Sequence, residues 1–162
     1  MREWNSRARD VAFLFNPAFC GRLLYTTTRE YERARKASFP FPLVYLVLPL
    51  VLHEDTRKKI NSRTQMLVWL QRNPELLVDF SVRAADMVFV TNEALDFILR
   101  AKIIRISEDG GLSASPESKP LSEKQFAEPE VRECVVKSKH VARWFASAGT
   151  VETIYVAWGV RP

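Results

Sequence analysis

The stretch from Phe39 to Leu52, Phe-Pro-Phe-Pro-Leu-Val-Tyr-Leu-Val-Leu-Pro-Leu-Val-Leu, limits what this chain can fold into more than any other. None of its fourteen residues is charged. From Leu43 onward it is apolar on every helical face, unlike an amphipathic surface helix. Ten helical residues rise about 15 Å, against the roughly 30 Å of a hydrocarbon core. The stretch is therefore too short to span a membrane and is expected to be buried in protein. Pro42 suits a first helical position. Pro49 withholds a donor from the Tyr45 carbonyl and predicts a kink or an end. A buried strand is the rival reading, since runs of Val and Leu serve both. A central strand tolerates such prolines poorly, which favours a short broken helix. Its surplus apolar surface is to be covered by the chain's own core or by another subunit. Phe39 and Phe41 are the candidate partner contacts at its entrance.

A length of 162 residues fits one domain, or one domain with an arm. Apolar residues make up 47% of the chain, ample for a core. The first ten residues lack the apolar run of a secretory signal. With no membrane span either, the expected location is the cytoplasm. Cys20 and Cys134 are the two cysteines, and their number argues for buried reduced thiols, not a disulfide framework. The net charge of +5 is unevenly spread. Residues 1–36 carry eight Lys/Arg against four Asp/Glu, and 53–63 carry four against two. Arg57, Lys58, Lys59 and Arg63 are thus candidate DNA contacts, with a solvated face as the plainer reading.

Read in order, the chain predicts a short helix over 7–15, then a restart at Asn16-Pro17, an N-cap followed by a first-turn proline. The helix that follows runs to about Lys36, with Phe19, Leu23, Tyr31 and Ala34 near one face and Arg22, Arg29, Arg33 and Arg35 wet. Thr26, Thr27 and Thr28 lower its propensity and call for tertiary support. After the apolar stretch, Asp55 or Thr56 can cap a short basic turn. Ser62 or Thr64 can cap a helix through Trp69, and Asn73-Pro74 starts another with Leu76, Leu77, Phe80, Ala84 and Met87 on one face. Thr91 can cap a third. Ile103–Ile106, the turn Glu108-Asp-Gly-Gly111 and Leu112–Ala114 read as a hairpin. Helix, helix, helix, hairpin is the outline of a winged helix. Residues 115–128 read as a mobile connection. Pro129 opens a long helix stopped at Gly149. Val151 to Trp158 is helix or strand, and the tail ends Trp158-Gly-Val-Arg-Pro162. The fold class is therefore mainly α with a small β-hairpin: a winged-helix-like core (64–114) between an N-terminal helical region (1–63) and a C-terminal helix with a docking tail (129–162), together one compact domain. Trp158 and Arg161 are the candidate docking residues of that tail.

Catalytic chemistry is hard to place. Gly110-Gly111 belongs to a hairpin, not to a phosphate-cradling strand–helix turn. Cys134 and His140 lie about 600° apart around one helix, hence on different faces. Cys20 follows Phe19 on an apolar face, and no spacing joins it to His53 or His140 as nucleophile and base. His53, ending the apolar stretch, reads as a partner for free helix-end carbonyls. The expectation is a protein without catalysis, metal or cofactor. A winged helix also raises DNA reading, but its third helix carries Glu93 and Asp96 against Arg100, and its hairpin tip carries Glu108 and Asp109. Carboxylates there repel phosphates, so a protein-docking role fits better.

Four stretches occurring in one order complete the reading: Phe15-Asn-Pro-Ala-Phe-Cys20, Phe41-Pro-Leu-Val-Tyr-Leu-Val-Leu-Pro-Leu-Val-Leu-His53, Trp69-Leu-Gln-Arg-Asn-Pro-Glu-Leu-Leu77 and Trp158-Gly-Val-Arg-Pro162. Together they resemble the middle component of bacterial three-component ABC systems, the group that includes Lamassu-type defence against phages and plasmids. The resemblance implies a non-catalytic adaptor. It would link an ABC ATPase of the structural-maintenance-of-chromosomes (SMC) kind to an effector such as a nuclease, and restrain the effector until DNA is sensed. DNA would then be met indirectly, through the complex. The alternative is a winged-helix DNA-binding regulator.

Overall fold

The computed structural model describes residues 14–119 and 122–161. The expected helix over 7–15 lies almost wholly outside them. Helix α1 spans Pro17–Arg35, and the Asn16 side chain accepts hydrogen bonds from the Ala18 and Phe19 N–H groups, the N-cap read from Asn16-Pro17. Thr26, Thr27 and Thr28 are all buried. Their hydroxyls donate back to the carbonyls of Arg22, Leu23 and Leu24 at 2.8–2.9 Å, so the weak helix formers carry no unmet polar group inward. Ala34 is exposed, not part of the apolar face, because the helix leaves the core at its last turn.

The apolar stretch folds as a 3-10 turn, Phe41–Leu43, running into helix α2, Val44–Val51, with Pro49 inside it. The helix continues past Pro49, and the Leu52 N–H still reaches the Leu48 carbonyl at 2.9 Å. Helix α2 contacts α1 on one side and later helices on others. Six of its eight residues are 0–1% exposed: Val44, Leu46, Val47, Leu48, Leu50 and Val51. Its surplus apolar surface is thus covered by the chain itself. Helix α3, Glu54–Lys59, follows, capped by His53 and not by Asp55 or Thr56. The His53 Nδ1 accepts from the Thr56 N–H at 3.4 Å, so this histidine serves the start of α3 and not the carbonyl end of α2.

Helix α4, Met66–Arg72, lacks a side-chain cap. Asn61 takes the polar role expected of Ser62 or Thr64, its Oδ1 accepting from the Arg63 and Thr64 N–H groups. Asn73-Pro74 starts only a 3-10 turn, Pro74–Leu77, because Asp79 in the left-handed region (φ 59°) breaks the path before helix α5, Phe80–Asp86. Leu76, Phe80 and Ala84 still reach the core. Helix α6, Val88–Arg100, begins before Thr91, which is buried within it and not at its cap. Strands β1, Ile104–Ile106, and β2, Leu112–Ala114, pair antiparallel in the register Ile104↔Ala114, Ile106↔Leu112. Gly110 supplies the positive φ of 81° at the hairpin tip.

The connection over 115–128 is tied down at both described ends. Tyr25 Oη donates to the Ser118 carbonyl at 2.6 Å, and Phe126 meets Phe19 edge-on at 5.9 Å. Helix α7, Pro129–Ser147, packs along α1 and against α2. Helix α8, Val151–Ala157, is capped by Thr150, whose Oγ1 accepts from the Thr153 N–H at 3.2 Å, which decides the helix-or-strand question. The protein is mostly helical with one small antiparallel sheet, and its buried cluster draws side chains from Leu14 through Trp158. Among the described residues no helix is long and apolar enough to cross a membrane.

Candidate partner-docking site

Two of the four expected partner contacts lie in the interior. Phe39 is 0% exposed, bridged backbone-to-backbone with Leu112 and edge-on to the Tyr31 ring at 5.2 Å. Trp158 is 1% exposed, its ring 4.8 Å from Phe80 and 6.0 Å from Trp69. Its indole N–H donates to the Met66 sulfur at 3.3 Å. Neither has surface to offer a partner: the turn after α8 folds the large aromatic of Trp158 back over α4 and α5. Phe41 is half-buried, with the Tyr45 ring 6.2 Å away. Arg161 is exposed.

Arg161 borders an open groove of about 580 Å³. Helix α2 contributes Tyr45 and Leu46, α5 contributes Ser81, Ala84 and Ala85, α6 contributes Val88, and the C-terminal end contributes Tyr155, Gly159 and Val160. Polar anchors hold its two rings. Tyr45 Oη donates to Asn92 Oδ1 at 2.8 Å, and Tyr155 Oη donates to the Pro42 carbonyl at 2.5 Å. Burial pushes the Tyr155 phenol up, with Tyr45 adding to it, so the hydroxyl stays a donor. Val82, Ala85 and Phe89 follow at helical spacing along α5 and into α6, and Val82 and Phe89 are 59% and 60% exposed. The sequence carried the signal: residues 74–100 have more apolar side chains than the one face of Leu76, Phe80 and Ala84 can use. What it did not reveal was that Tyr45 and Tyr155, far apart in sequence, flank the same groove.

The basic turn is largely neutralised. Arg57 is 1% exposed and has no face for DNA. Its Nη2 meets Glu130 at 2.7 Å, its Nε meets Glu133 at 2.9 Å, and its Nη1 donates to the Val51 carbonyl at 3.1 Å. Burial disfavours its charge, but the two carboxylates outweigh this and raise its pKa. It joins α2, α3 and α7 at one point. Lys58 pairs with Glu54, and Lys59 with Glu75 at 2.7 Å. Arg63 is exposed. On α6, Asp96 stays exposed as the sequence placed it and pairs with Arg100 at 2.7 Å, whereas Glu93 is half-buried, its Oε2 without a hydrogen-bond partner among the described residues.

A family model described as ABC-three component (ABC-3C) system Middle Component 3 matches residues 4–162. The chain belongs to this family. No curated protein and no solved structure matches it. As a middle component it is one of three, and its partners are other components of such a system. The thiols of this middle component are poor nucleophiles. Burial pushes the Cys20 thiol up to about 12, with Cys134 adding to it, and Cys20 Sγ donates to the Leu14 carbonyl at 3.0 Å. Burial likewise pushes Cys134 up to about 11. At neutral pH neither supplies a useful fraction of thiolate.

Proposed function

We propose that this middle component is a non-catalytic adaptor that links an ABC ATPase of the SMC kind to an effector such as a nuclease, restraining the effector until DNA is sensed, in a cytoplasmic defence system of the Lamassu type. The observation that carries this reading is the groove between α2, α5, α6 and the tail. A concave apolar floor, two anchored tyrosines and an exposed arginine at the rim are the ingredients of an interface core and its hot spots. Arg161 favours a partner surface that is apolar with one carboxylate. Residues 64–114, with helices followed by a hairpin, are read as a winged-helix-like docking unit and not as a groove reader of DNA. The high thiol pKa values argue against either cysteine as a nucleophile.

Co-purification with the other components tests the proposal. Arg161→Glu reverses the rim charge, and Ala85→Arg fills the groove. Each is expected to lower complex recovery at least tenfold, about 1.4 kcal/mol or more, while the melting temperature stays within about 2 °C. Full recovery of the complex with both variants would overturn the groove as the docking site.

A further inference from the structure

The positive excess of the first 36 residues reappears as a stripe on α1. Arg22, Arg29, Arg33 and Lys36 are spaced seven, four and three residues apart, so they share one face. They span about 21 Å of helix axis at 1.5 Å per residue. Segment 114–119 runs beside this face, and between them lies a groove of about 320 Å³ lined by Arg29, Arg33, Lys36 and Ser118 among others. Arg22 ties the segment to the helix: its Nη1 donates to the Lys119 carbonyl at 3.4 Å, and its guanidinium lies 5.9 Å from the centre of the Tyr25 ring.

Three carboxylates lie nearby: Glu30, Glu32, which lines the groove, and the exposed Glu117 of the segment. Glu32 accepts from the Ala114 N–H at 3.1 Å. Glu30 accepts from Arg143 at 3.0 Å and lies only 3.7 Å from Arg33, whose side chain is 72% exposed. Among the described residues, no ion pair reaches Arg22, Arg29 or Lys36. Arg57, Lys58 and Lys59 all have carboxylate partners. Unpaired cations are therefore gathered on α1, whereas of the turn that the sequence singled out Arg63 alone lacks an ion pair among the described residues.

We propose that the α1 stripe and segment 114–119 form a binding groove for the phosphodiester backbone of duplex nucleic acid. A duplex strand carries a charge every 3.4 Å or so of axis, so the stripe runs alongside about six phosphates. The groove is as polar as it is apolar and lacks the mostly apolar lining of the tyrosine groove. Its contacts are to the backbone alone and carry no base preference. The inference does not depend on the adaptor reading.

The test is fluorescence anisotropy of a labelled duplex of about 20 base pairs with the full chain, between about 50 and 200 mM salt. Four phosphate contacts predict a slope of log affinity against log salt of about −3.6. Arg33→Glu with Lys36→Glu is expected to lower affinity at least tenfold and make the slope shallower by about 1.8. Arg33→Gln with Lys36→Gln gives the same change in slope with a smaller loss. Lys58→Glu with Lys59→Glu leaves both within about twofold. Salt-independent or undetectable binding by the wild type overturns the proposal. So does a glutamine pair that binds like the wild type, or an equal loss on reversing Lys58 and Lys59. Tighter binding of poly-glutamate than of the duplex also overturns it and reassigns the stripe to an acidic protein partner.

Discussion

Asp109 shows how one side chain organises a turn. Its Oδ1 accepts from the Ser107 hydroxyl at 2.6 Å and the Gly111 N–H at 3.0 Å, and its Oδ2 from the Ser38 hydroxyl at 2.5 Å. The Ser107 and Ser38 bonds lower its pKa to about 2. A carboxyl depressed in the folded state contributes stability above its unfolded value of about 3.9 and loses it as pH falls through the folded value. Asp109→Asn is accordingly expected to lower the melting temperature at pH 7, with the gap to wild type closing between about pH 4 and pH 2. Melting curves at pH 7, 4 and 2 check this, and a gap independent of pH would assign the effect to the amide's shape alone. The sequence displayed Asp109 as an acidic hairpin tip on the surface. That Ser38, 71 positions away, shares the carboxylate was invisible, since hydrogen-bond partners across the fold leave no periodic trace.

At the scale of elements, α1 and α6 approach closely at Gly21. A Cβ there would lie 2.4 Å from the Ile98 Cγ2 and 3.2 Å from the Ala94 carbonyl oxygen. Gly21→Ala would ordinarily raise helix propensity by about 1 kcal/mol. Here the steric clash with a neighbouring helix outweighs that gain, and the variant is expected to lose about 1–3 kcal/mol in urea unfolding. Greater stability of Gly21→Ala would mean that α1 and α6 can separate without cost. Helix α1 was legible because Asn16-Pro17 is a local signal, resolved within one turn. Helix α2 was legible as buried because fourteen uncharged residues leave no wet face. The cap at His53 and the loop bonds of Asn61 were missed. Several polar residues there could accept the same N–H groups, and the backbone path chooses among them.

In the molecule as a whole, a tryptophan cluster closes the lower core. Trp69 and Trp144 lie 5.0 Å apart, and their indole N–H groups donate to the carbonyls of Lys59 and Thr64, each at 2.7 Å, holding the loop between α3 and α4. Trp158 completes the cluster from the C-terminal side. Trp158→Ala is expected to cost about 3–5 kcal/mol, through lost burial and the cavity left behind. Urea unfolding measures it, and a loss below about 1 kcal/mol would mean that Trp158 is not a core residue. The contrast with Arg161, three positions on, is sharp: one side chain serves the fold and the other faces solvent.

Local chemistry settled the mainly helical class, the hairpin turning at Gly110-Gly111, the cap at Asn16, and the burial of the apolar run 43–52. These depend on residues within one or two turns of each other, where periodicity and capping act. Burial of Phe39 and Trp158, the pairing of Arg57 with Glu130 and Glu133, and the meeting of Tyr45 with Tyr155 were decided by tertiary structure. An aromatic or a cation in a sequence looks the same whether it anchors a partner or fills a core. Which it does depends on the elements brought against it. Net charge was readable from composition, but where it remains unpaired was not, because ion pairing is a property of distances across the folded chain.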